Sequence, residues 1–94
     1  MASIFTRPRP QVVSAGAELI FETLHASDVP ASRLREGEHT LMRVVDGLVR
    51  LTVDGEERLM GAGDEAIVPA GERYAVASAC ERALVIVGFT PTSR

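Results

Sequence analysis

The sequence predicts an all-β protein, a small antiparallel β-barrel of about six to eight strands. Two observations predict it. From about residue 41 onward, glycine, proline and aspartate recur at short intervals, and runs of β-forming residues fill the gaps between them. Within one such run, Val49, Leu51 and Val53 alternate with Arg50 and Thr52, a two-residue period that turns one face to a core and the other to water.

The elements follow in order. Leu41 to Val45 leads into Asp46-Gly47, Leu48 to Val53 into Asp54-Gly55, and Glu57 to Met60 into Gly61-Ala62-Gly63. Each Asp-Gly pair is a turn signal, because both residues tolerate positive φ. Ala66 to Val68 ends at Pro69-Ala70-Gly71, Arg73 to Ala77 forms another short strand, and Ala83 to Phe89 is the last. The unbroken apolar character of that last run predicts burial on both faces. Ala17 to His25 is compatible with a helical turn or a strand, and we read it as a strand with Leu19, Phe21 and Thr23 on one side. Val29-Pro30 breaks what precedes it. One domain over residues 1–94 is expected, with a core barrel at about 30–90 and frayed ends at 1–10 and 91–94.

Composition narrows the function classes. The chain is 46% apolar and 24% charged, as ordinary globular domains are. Its formal charge of -3, with ten scattered basic residues that are all arginine, offers no field for a phosphate backbone, so nucleic acid is not an expected partner. The apolar run from Ala83 to Phe89 is far short of the roughly 20 residues a membrane-spanning helix needs. Residues 1–10 lack the apolar run of a secretory signal, and the single cysteine, Cys80, cannot form an internal disulfide; both point to the cytoplasm. Cys80 is expected to be a buried structural thiol.

The glycine spacing carries a resemblance. Gly63-Asp64-Glu65-Ala66-Ile67-Val68-Pro69-Ala70-Gly71 resembles the second motif of the cupins, in which a glycine is followed after five residues by Pro-X-Gly. Val44 to Gly47, followed by Leu51 to Gly55, is similar to the closing glycine of the first motif and the hairpin after it. The resemblance spans about residues 30–90 and implies a jelly-roll barrel, the double-stranded β-helix. The run Val29 to Arg35, followed by Val44 to Arg50, is also similar to small cupin-like domains associated with tellurite resistance, a likeness of context rather than chemistry.

The resemblance also says where a metal would be held, and this chain departs from it there. Metal-binding cupins place His-X-His and a glutamate in the first motif and a histidine after the Pro-X-Gly of the second. Here Thr40 stands at the glutamate position, Tyr74 at the last histidine, and Ser78 at an asparagine position that follows it. The His-X-His positions fall on Arg33 and Arg35 or on Leu34 and Glu36, depending on the gap. A site of three histidines and a carboxylate is therefore not expected, and no cofactor is implied. His39, next to Thr40, should face the opposite way along a strand. His25 is expected to be an ordinary surface or packing histidine, and Glu36, Glu38 and His39 together read as a polar loop between strands.

In this register Thr40, Met42, Val44, Tyr74, Val76 and Ser78 line the interior, with either Arg33 and Arg35 or Leu34 and Glu36 at the mouth. An apolar pocket with a few polar tips is the usual make-up of a small-ligand site. Arg33 and Arg35 would offer forked donors to a carboxylate or phosphate in one register and be surface charges in the other. The candidate ligand-binding residues are thus Tyr74, Arg35, Arg33, Glu36, Thr40, Met42 and Ser78. Three functions are compatible: a metal-free binding module for a small, anionic molecule; a metal-independent isomerase, epimerase or cyclase with Tyr74 and Glu36 or His39 moving protons; and, against the missing ligands, a metal-dependent dioxygenase. Binding is preferred, since only Tyr74 is a convincing inward acid-base group. The family's habit of pairing barrels implies a homodimer, with part of the segment Val12 to Leu24 against the partner.

Overall fold

The structure, a computed structural model, describes residues 19–92. Seven strands follow one another, with no helix among the described residues: β1 Leu19–His25, β2 Glu38–Asp46, β3 Leu48–Val53, β4 Glu56–Gly61, β5 Glu65–Val68, β6 Tyr74–Ser78 and β7 Arg82–Pro91. They form two antiparallel sheets, one ordered β1-β7-β2-β5 and the other β4-β3-β6. The strand reading of Ala17 to His25 holds from Leu19 onward, so the first sheet starts well before residue 30; residues 1–10, 17–18 and 93–94 lie outside the described ones.

Alternation decides what fills the space between the sheets. On β3, Val49, Leu51 and Val53 are 0–1% exposed, while Arg50 points out and pairs with Glu57 at 3.1 Å. Facing residues on β7, Ala83, Val85 and Val87, are buried too, and both sheets join one apolar cluster. Outward Leu84 and Ile86 are half-buried, so β7, although central, is not sealed on both faces.

The two Asp-Gly pairs do different work. Asp54 (φ 51) and Gly55 (φ 79) make the primed turn of a hairpin between paired strands β3 and β4. Asp46 belongs to β2, and Gly47 alone carries the chain from one sheet to the other, since β2 pairs with β5 and β7 and β3 with β4 and β6. Val45 sits in a register shift of β2 against β7 and is 41% exposed.

One boundary is corrected. Glu38 and His39 lie in β2 rather than in a polar loop, because β7 runs on to Pro91 and pairs Glu38 with Pro91 and His39 with Thr90. Ladder pairing outweighs the low β propensity of those letters.

Candidate functional site

One end of the barrel gathers most of the candidate residues. The segment before β2 is not a strand, but Arg33 forms an isolated antiparallel bridge with Tyr74: the Arg33 N–H donates to the Tyr74 carbonyl at 2.7 Å and the Tyr74 N–H to the Arg33 carbonyl at 2.9 Å. Directly paired residues project to the same face of a sheet, so Arg33 shares the inward face of Tyr74, which is buried, and Val53. Register is thereby set: Arg33 turns inward, and Leu34 and Glu36 are exposed.

The Arg33 guanidinium meets a residue that sequence reasoning missed. Its Nη1 lies 3.0 Å from Oε1 of Glu22, with about a third of each side chain exposed. Glu22 pairs with Val85 and alternates with exposed Phe21 and Thr23, which places it on the inner face of β1. Because β1 and β6 are edges of different sheets, the ion pair closes the seam between them. Burial works against the Arg33 charge, but the Glu22 carboxylate and then Tyr74 outweigh it and hold the guanidinium above its ordinary range. The signal for Glu22 was present in the period-two pattern, yet Leu19 and Phe21 made the opposite face look like the core side.

Arg35 caps the same end differently. Its guanidinium lies over the Phe89 ring, 3.8 Å from the centroid, and its Nε donates to Glu38 at 2.7 Å. Its carbonyl accepts the Gly71 N–H at 2.8 Å, so the Pro69–Gly71 turn is tied to the Arg33–Arg35 segment. His39 faces away from Thr40, as alternation requires, and its Nδ1 accepts the Ala70 N–H at 3.0 Å.

The remaining candidates lie apart. Thr40, Met42 and Val44 are 0–1% exposed, so that part of the interior is packed core. Ser78 sits at the far end of β6 from Tyr74, where its hydroxyl donates to the Cys80 carbonyl at 2.6 Å. Cys80 is half-buried rather than buried: its sulfur accepts the Leu48 N–H at 3.3 Å and faces the Arg82 carbonyl at 3.1 Å. The Leu48 N–H and then Ser78 draw the thiol below its ordinary range. Beside it, His25, Asp46, Glu81 and Arg82 line an open hollow of about 570 Å³.

Two antiparallel sheets enclosing an apolar core, with a short-turned second motif delivering Tyr74 to one rim, define a small jelly-roll domain. The chain belongs to the cupin family, whose cupin-domain model matches residues 20–88. Solved structures share the fold. A predicted oxalate decarboxylase from Thermotoga maritima is similar with a TM-score of 0.72 and 14% identity, over 79% of this chain and 65% of that one. The cupin domain of Schizosaccharomyces pombe Cnp3 gives 0.75 and 14%, over 83% and 55%. A cupin protein from Bacteroides fragilis gives 0.71 and 21%, over 99% and 82%. This chain therefore spans under two thirds of the Thermotoga and Schizosaccharomyces chains it matches. No curated protein matches it.

The metal of metal-binding cupins does not fit the residues present. The corresponding positions carry a buried Thr40, a buried Tyr74 and a guanidinium already paired to Glu22. Among the described residues no three of histidine, cysteine, aspartate and glutamate are grouped so that they could hold a metal ion. A hydroxyl, a phenol and a cation are not the nitrogen and carboxylate donors that hold a transition metal.

Proposed function

We propose that the chain is a metal-free cupin-type binding protein for a small anionic molecule, a carboxylate or a phosphate, held at the barrel rim. One observation carries this reading: the bridge to Tyr74 turns Arg33 inward and leaves its guanidinium about a third exposed at the seam. A forked cation beside a tyrosine is suited to such an anion. The test is a thermal-shift screen of small carboxylates and phosphates, followed by calorimetry of any hit on Arg33→Ala, Arg35→Ala and Tyr74→Phe. A lost charged hydrogen bond weakens binding about ten- to a hundredfold, which Arg33→Ala should show. Hits that bind all three variants like wild type would move the site elsewhere.

One further observation favours a second reading, a metal-independent isomerase, epimerase or cyclase. Glu22 and Tyr74 both reach Arg33 from opposite sheets, giving two titratable groups around one cation. Exchange of a carbon-bound hydrogen of a hit into D₂O, lost in Glu22→Gln, would support it.

The expected partners are this small molecule and a second copy of the chain, not nucleic acid or membrane, in keeping with the charge of -3. A lone cysteine suits the cytoplasm.

A further inference from the structure

We infer that Glu22 is a built-in plug for the anion seat: its carboxylate occupies the Arg33 guanidinium in the empty protein, and a ligand anion binds by displacing it. The inference rests on the reading of Arg33 as an anion-binding residue.

Three features of the pair point this way. Glu22 stands on the inward face of β1 between Ile20 and Leu24, opposite Val85, where its same-face neighbours are apolar, and among the described residues it is Arg33 that answers the carboxylate. The contact is one-pronged, Nη1 to Oε1 at 3.0 Å, so the fork of Arg33 is not filled as a bidentate partner would fill it. Both side chains keep about a third of their surface exposed, so an incoming anion can reach the cation before the pair opens. A partly exposed pair of this kind is weak, and one carboxylate exchanges for another at little cost.

The experiment titrates inorganic phosphate and acetate into wild type, Glu22→Gln, Glu22→Ala and Arg33→Ala, following by NMR the backbone N–H signals of β1 and of Tyr74, which every variant retains. Glutamine keeps the shape and removes the competing charge; alanine removes both, and an unchanged amide spectrum shows that either variant folds. Expected is roughly three- to tenfold tighter binding of at least one probe to both Glu22 variants, and none to Arg33→Ala. Binding that needs Arg33 but is equal in wild type and the Glu22 variants overturns the plug and leaves the anion site standing. No binding to any variant overturns both.

Discussion

The imidazole Nδ1 of His39 accepts the Ala70 N–H at 3.0 Å, tying the start of β2 to the turn that leads the chain into β6. With the Gly71 N–H bonded to the Arg35 carbonyl at 2.8 Å, two long-range bonds hold the turn three residues ahead of Tyr74. Accepting at Nδ1 puts the proton of the neutral ring on Nε2. His39→Ala leaves a part-buried amide without an acceptor and should cost about 1–2 kcal/mol. His39→Asn, whose side-chain oxygen reaches the Nδ1 position, should recover most of that. Amide exchange at Ala70 and denaturant midpoints check this; unchanged values in the alanine variant would show that the bond holds nothing.

Gly47 has no room for a side chain. It has φ 91°, and a Cβ there would lie 2.7 Å from the Arg82 carbonyl oxygen and 2.9 Å from Ala83, both backbone-anchored in β7. Gly47→Ala should therefore cost roughly 2–4 kcal/mol, strain and overlap together. Gly71 has φ 85° but open space around it, so Gly71→Ala should cost only about 1 kcal/mol. Equal losses in thermal unfolding would show that conformation alone matters at both.

The sheets were legible because their signals are local: Val49, Leu51 and Val53 declare an inward face, and Asp54-Gly55 declares a hairpin. Glu38 and His39 were not legible as strand, since only pairing with β7, half the chain away, makes them so. The site was half legible. Glycine spacing placed Tyr74 and narrowed the mouth to two alternating sets, but choosing between them needed the Arg33–Tyr74 bridge, which no periodicity encodes. Ser78 shares a strand with Tyr74 yet ends at the opposite rim, because a short strand still spans the barrel.

The purified protein should carry no stoichiometric iron, nickel, zinc or manganese. Thr40, Tyr74 and Arg33 stand where the donors would be, and their oxygens and cation are poor ligands for these ions. Elemental analysis after gel filtration is the check. Near one equivalent of metal, lost in His39→Ala, would restore the dioxygenase reading and break the register on which the rim is built.

We also expect a homodimer. Among the described residues β1 pairs only with β7, and this edge strand has neither proline nor lysine to blunt it. Three of its exposed positions are large and apolar: Leu19 is 45%, Ile20 41% and Phe21 63% exposed. A second copy paired about a two-fold axis would cover the edge and these side chains together. Of the segment expected against the partner, Val12 to Glu18 lie outside the described residues, so Leu19 to Leu24 carry the argument. Phe21 projects outward opposite Ile86, away from the core, so Phe21→Glu should leave the fold intact while placing two charges in the shared face. Light scattering at protein concentrations on the order of 10 µM should give a dimer mass for wild type and a monomer mass for the variant. A monomeric wild type at that concentration would refute the pairing, and a dimer untouched by Phe21→Glu would move the interface off β1.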